Sequence, residues 1–320
     1  MKKRIFTSIG IVLTLALLFV LKVYVSDYFF DAFFGIVAGF AAFEMSKLLT
    51  KIGKFNFQWV ATLFPSFLLA GNLVGIHYIS TTGDLYWILW TILVDIALMA
   101  VVFAGLFLFG ILRKKATKHE IEVRNIRNVS VVKFSLVKAL NTLITFVYPS
   151  FLFLMFVFVN HLGDLPFAKL AGATSNISLF MVLSAILIPM ITDTFAMLMG
   201  SLIGGKKLCP KISPNKTISG SVGGTLWCVL VAACVYLVFG CISSFEPLMQ
   251  ALPIWVYLLV VLFGSVVAQG GDLFESFVKR RAGVSDSGNL LPGHGGMLDR
   301  IDSYIYIAPY ILLAFLIFAL

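Results

Sequence analysis

The stretch "MKKRIFTSIGIVLTLALLFVLKVYV" (Met1–Val25) decides between two architectures. Three cations precede an apolar run, as in a secretory signal, but no small-residue cleavage site closes it and the apolar part is long. It reads as an uncleaved first membrane span. Further along the chain, apolar runs of roughly 18 to 25 residues recur, about the length a helix needs to cross the hydrocarbon core. Spans are expected near 5–25, 28–46, 58–79, 86–112, 135–160, 176–203, 220–242, 252–278 and 303–320. The composition agrees: 60% of the 320 residues are hydrophobic, 12% are charged, and the mean hydropathy is +1.01. Soluble domains carry about a quarter charged residues. The expected fold is all-α, a polytopic integral membrane protein with about nine transmembrane helices.

Lysine and arginine favour cytoplasmic loops. Lys2, Lys3 and Arg4 precede the first span, and Lys47, Lys51 and Lys54 follow the second. Arg113, Lys114, Lys115, Lys118, Arg124, Arg127 and Lys133 follow the fourth. Lys206, Lys207, Lys211 and Lys216 follow the sixth, and Lys279, Arg280, Arg281 and Arg300 flank the eighth loop. Lys138 lies just inside the fifth span from that same side, so only Lys22 and Lys169 of the 24 basic residues fall opposite. The N-terminus is therefore expected in the cytoplasm and the C-terminus outside. The net charge of +9 belongs to the cytoplasmic face, where it sets topology and attracts anionic lipid headgroups. Nucleic acid is not an expected partner, because no aromatic stacking platform or recognition module accompanies the cations. Cys209, Cys228, Cys234 and Cys241 show no paired metal spacing.

Residues 1–134 read as N-terminal spans with a basic loop, and residues 135–320 as the functional half of one membrane domain. Asp31, Glu44 and Asp95 are intramembrane acids, costly and functional candidates by default, though helix-to-helix hydrogen bonding explains them equally well. Their partners cannot be named from sequence.

The polar strips of the second half say more. In "AQGGDLFESFVKRRAGVSDSGNLLPGHGGMLDRIDS", Asp272, Ser276, Lys279 and Arg280 project from one helical face, with Glu275 close by. Gly283–Gly288 reads as a turn, and "PGHGG" lets backbone approach a ligand closely. Asp299 and Asp302 follow, three apart, at the start of the last span. Carboxylates beside cations suggest divalent metal and phosphate, and hard oxygen ligands suit magnesium.

The segment Ser276–Asp302 resembles the signature of the phosphatidate cytidylyltransferases, the CDP-diacylglycerol synthases. Ser276, Lys279, Arg280, Asp286, Pro292, Gly293, His294, Gly295, Gly296, Asp299, Arg300 and Asp302 match its pattern. A second strip, "DTFAMLMGSLIGGKKLCPKISPNKTISGSVGG", resembles the family's preceding segment through Asp193, Gly200, Gly204, Ser213, Pro214, Lys216, Thr217 and Gly220. Three positions depart from the pattern: Ser201 replaces a basic residue, Ser219 a glutamate and Ser285 a lysine. The specific likeness covers about residues 185–320; the earlier spans share only hydropathy and position.

The resemblance implies transfer of CMP from CTP to phosphatidic acid in the cell membrane, with the active site facing the cytoplasm and Mg2+ as cofactor. It implies Asp272 and Asp299 at the metal, and Lys279, Arg280 and Arg300 neutralising phosphate. Ser213, Lys216, Thr217, Ser276, Asp286, Gly293, His294, Gly295, Gly296 and Asp302 are expected to bind substrate. His294 is either a proton carrier or a loop-ordering donor, and membrane lipids would surround the site. A homodimer is compatible with the resemblance. The alternatives are a diverged or non-catalytic member handling another lipid phosphate, a related lipid kinase, and a transporter using Asp31, Glu44, Asp95 and Asp193.

Overall fold

The computed structural model describes residues 2–83, 86–126, 129–164 and 176–319. Arg127 and Lys169, both used to read the orientation, lie outside the described residues, as do the side chains of Lys2, Lys3 and Arg4. The helices are α1 Lys2–Tyr24, α2 Tyr28–Lys51, α3 Gln58–Thr82, α4 Tyr86–Leu112, α5 Lys114–Val123, α6 Val131–Thr145 and α7 Leu152–Asn160. Then come α8 Asn176–Ile203, α9 Ile218–Gly240, a short α10 Glu246–Ala251, α11 Ile254–Arg281 and α12 Leu298–Ala319.

Among the described residues, eight helical stretches are long and apolar enough to cross a membrane, Val131–Asn160 counting as one. The first expected span, 5–25, corresponds to α1, 23 residues long, whose apolar part Ile9–Tyr24 is shorter. The fold is thus an all-α polytopic membrane bundle, and the helix ends fall within a few residues of the hydropathy boundaries.

One element departs from the all-helical plan. Lys207–Cys209 and Ser213–Thr217 form an antiparallel hairpin, β1 and β2, pairing Lys207 with Thr217 and Cys209 with Ser213. The expected all-α fold contains no strand there. Thr217 ends β2 and caps α9, its Oγ1 accepting from Gly220 N at 3.1 Å, a bond that satisfies one of the helix's orphan amides.

The run Val131–Asn160 is the centre of the bundle: 72% of its apolar window is buried, against 11% for the peripheral Tyr86–Leu112. It bends between α6 and α7, where Tyr148 leaves the helical region (φ −121°, ψ 118°) just before Pro149, since proline removes an amide donor and disfavours helix in the preceding residue. Below the bend α7 turns almost every side chain inward, and Phe156 stacks on Phe34 of α2 with ring centroids 4.9 Å apart.

Helices α8 and α9 make the most extensive helix pair. A Cβ added at Gly224 would lie 2.6 Å from Thr192 O, so glycine is what permits this approach, and small residues of this kind let membrane helices pack by dispersion.

Polar contacts sort the loops to two ends. At one end Asn141 donates to Phe55 O, Lys138 pairs with Glu120, Arg280 reaches Ile212 and Glu44 meets Ser287. The basic loops gather there, as the charge pattern implies. At the other end Lys22 pairs with Asp27 and donates to Asn160 Oδ1 at 2.7 Å, and Asn160 Nδ2 donates to Asp31 Oδ1 at 2.9 Å. The His161 ring bridges Asp31 (2.8 Å) and Asp164 (2.9 Å). Burial pulls the His161 imidazole down, but its hydrogen bonds to Asp164 and Asp31 and their charges outweigh that, leaving its pKa at about 9.

Candidate active site

Three parts of the chain converge on one cavity of about 710 Å³ at the basic-loop end. The end of α11 contributes Asp272 and Lys279, the start of α12 contributes Asp299, Arg300 and Asp302, and β2 contributes Lys216 and Thr217. Asp193, Gly200, Ser201 and Lys207 from α8 and the hairpin complete the wall with Gln269 and Asp286. Helical spacing explains the α11 contribution, since residues 272, 276 and 279 share a face.

Two of the cavity's carboxylates, Asp272 and Asp299, already have a cation. Lys216 pairs with Asp272 across the gap between hairpin and α11, and Ser276 Oγ donates to Asp272 Oδ1 at 3.3 Å. Lys279 lies 2.8 Å from Asp299 Oδ1 and also pairs with Glu275, one turn back on its own helix. Asp299 accepts two backbone amides as well, Ser287 N at 2.9 Å and Gly296 N at 2.7 Å. A carboxylate so surrounded is fixed in place.

The glycine strip folds back on itself through Leu291 N to Gly295 O (2.9 Å) and His294 N to Leu291 O (2.9 Å). At Gly295 φ is +84°, and a Cβ there would fall 2.7 Å from Asp299 Oδ2, so both backbone sign and space call for glycine. Gly293, His294 and Gly295 line a second polar cavity of about 660 Å³ with Asp286 and Arg300.

A third cavity is apolar. About 430 Å³ in volume, it lies among Leu15, Phe34, Phe153, Phe156 and Tyr304, with Arg300 at its polar edge. Arg300 lines all three cavities.

Not every expected residue enters the main cavity. Arg280 is exposed and its Nε donates to Ile212 O at 3.2 Å, tying α11 to the hairpin. Ser213 sits in the β1–β2 ladder opposite Cys209. Ser276 touches Asp272 from beside the cavity. Gly296 contributes its amide to Asp299. Conversely, Glu275 is fully buried against Lys279, although its spacing places it only near the α11 face. Gln269, which donates to Thr225 Oγ1 at 2.9 Å, gave no signal in the sequence.

The acids offer hard oxygen donors. Asp193, Asp272 and Asp302 line one cavity and feel one another's charge. Among the described residues no three such side chains converge as a ready-made metal site. Asp272 and Asp299, which both line this cavity, fit an ion held by one or two carboxylates and completed by substrate oxygens, the habit of magnesium.

A phosphatidate cytidylyltransferase of Staphylococcus haemolyticus is 47% identical over 137 residues, covering 43% of this chain and 49% of the relative. Those of Staphylococcus aureus strain COL and Staphylococcus epidermidis are 46% and 47% identical over 136 and 128 residues, covering 42% and 40% of this chain and 49% and 46% of theirs. The chain thus aligns with about half the length of these curated relatives. The pattern of the Cytidylyltransferase family, by contrast, matches residues 2–318, nearly end to end, and the chain belongs to that family.

Proposed function

We propose that this protein transfers CMP from CTP to phosphatidic acid, giving CDP-diacylglycerol and pyrophosphate in phospholipid biosynthesis. The observation that carries the reading is the position of Arg300, shared by a polar cavity and an apolar one. A water-soluble triphosphate and a lipid phosphate need such a junction, with charge on one side and room for an acyl chain on the other. The names of the Staphylococcus relatives support the same substrates.

In this reaction a phosphate oxygen of the lipid attacks the α-phosphorus of CTP. The bond from that phosphorus to the β-phosphate oxygen breaks, and its electron pair leaves with pyrophosphate. Both reactants are anionic, so positioning and charge neutralisation carry the catalysis. Lys216 and Lys207 face the triphosphate, Lys279 holds Asp299 in place, and Arg300 receives the lipid phosphate at the mouth of the apolar cavity. A phosphate monoester is nucleophilic near neutral pH without a dedicated base, which leaves His294 to the order of its loop. Mg2+ would be held by Asp272 and Asp299 and would supply stabilisation of charge on the leaving oxygens. The active site faces the cytoplasm of the cell, in the cell membrane, where CTP is available.

The test uses the purified protein in detergent with phosphatidic acid, CTP and Mg2+. Wild type should form CDP-diacylglycerol, and Arg300→Ala should raise KM for phosphatidic acid far more than KM for CTP. An Arg300→Ala enzyme with unchanged lipid KM would sink the assignment of the junction.

A further inference from the structure

We propose that Glu44, a buried acid of α2, is a positioning residue that holds the Ser287–Leu298 strip so that its amides grip Asp299. The role in catalysis rests on the function proposed above. Glu44 is 4% exposed and lies 243 residues before Ser287 in the chain. Its Oε2 accepts from Ser287 Oγ at 3.0 Å and from Leu298 N at 2.8 Å.

Those two contacts bracket the strip that holds Asp299. Ser287 gives its hydroxyl to Glu44 and its amide to Asp299, the latter at 2.9 Å. Leu298, whose amide goes to Glu44, is the first residue of α12 and the neighbour of Asp299. Its amide is one of the orphan donors at a helix start, which a negative charge satisfies well. Glu44 therefore caps α12 from another helix.

The strip is cut to fit this carboxylate. A Cβ added at Gly288 or at Gly296 would fall 2.7 Å from Glu44 Cδ. A polar group buried in a membrane bundle is expensive unless hydrogen-bonded, and the hydrogen bonds of Glu44 go to the strip that orders the site. Displacing Glu44 frees Ser287 and Leu298 together, and Asp299 loses the fixed amides that orient it.

The experiment compares purified full-length wild type with Glu44→Ala, Glu44→Gln, Ser287→Ala and the Glu44→Ala, Ser287→Ala double variant. Two readouts are taken: steady-state kinetics normalised to folded protein, and hydrogen exchange of peptides covering 285–298 and the core helix 152–160. Glu44→Ala should lower kcat by roughly 10- to 100-fold, the usual size for a residue that orients an active-site ligand. Glu44→Gln keeps an acceptor oxygen and should retain most of the rate. The double variant should be no slower than Glu44→Ala alone. Exchange should quicken in 285–298 and stay unchanged in 152–160. A folded Glu44→Ala with kcat within about twofold of wild type, or exchange that quickens equally in both peptides, would overturn the proposal. If wild type itself yields no CDP-lipid, the functional reading fails, while the exchange comparison still decides whether Glu44 orders the strip.

Discussion

Lys279 Nζ stands 2.8 Å from Asp299 Oδ1 while the same ammonium pairs with Glu275, so one cation serves two carboxylates, from α11 and α12. The three side chains are 13%, 4% and 0% exposed. Removing the cation strands two buried acids. Lys279→Met should therefore cost about 3–5 kcal/mol of stability and abolish most activity. Lys279→Arg should melt close to wild type yet turn over more slowly, because a planar fork cannot take the place of a compact ammonium. Thermal unfolding in detergent and the initial rate separate the two effects. A Lys279→Met protein as stable as wild type would contradict the geometry.

The neighbours Lys216 and Thr217 should behave differently. Thr217 caps α9, so Thr217→Ala should cost about 1 kcal/mol with a modest kinetic effect. Lys216 pairs with Asp272 in the cavity, so Lys216→Ala should raise KM for CTP tenfold or more and leave the melting temperature nearly unchanged. The two variants, measured side by side, distinguish a folding contact from a substrate contact. Equal kinetic losses in both would count against the assignment.

The His161 network makes stability depend on pH at the end away from the active site. The imidazole rises from its ordinary 6.5 to about 9 on folding. Its contribution is complete below pH about 6.5 and is lost as pH climbs through about 9. The melting temperature of wild type should accordingly fall between pH 7 and 10 by more than that of His161→Gln. Parallel curves for the two proteins would remove His161 as the source.

Ser201 lies exposed on the cavity wall, where the family pattern carries a cation. Ser201→Lys should lower KM for CTP severalfold, through added charge beside the triphosphate, with little change in kcat. Ser219 is different. Its hydroxyl donates to Gly204 O and lies 3.2 Å from Thr217 Oγ1, so Ser219→Glu should break a hairpin contact even as it adds a favourable charge at a helix start. A melting scan of Ser219→Glu below wild type would bear this out, and one above it would not.

The membrane plan was legible because each span announces itself locally. The ends expected for Tyr86–Leu112 and Asn176–Ile203 are those observed. The cavity was legible where spacing on one helix decides it, as for Asp272 and Lys279. Arg280 shows the limit: it is one residue past Lys279, about 100° further round the helix, and its guanidinium goes to Ile212 instead. The hairpin escaped because strands of only three and five residues are too short to leave an alternating signal. Glu44 was visible as an intramembrane acid, but a contact with Ser287 across more than two hundred residues leaves no local trace.

If CMP passes to a lipid phosphate where the two cavities meet, the position of a radiolabel reveals it. Purified protein, phosphatidic acid and Mg2+ are incubated with CTP labelled at the α-phosphate or, separately, at the γ-phosphate. The α-label should enter the lipid fraction, γ-label should appear only in pyrophosphate, and Asp299→Ala should give neither. Label from the γ-phosphate in the lipid would identify a kinase, and no labelled lipid from folded wild type would contradict the transfer altogether.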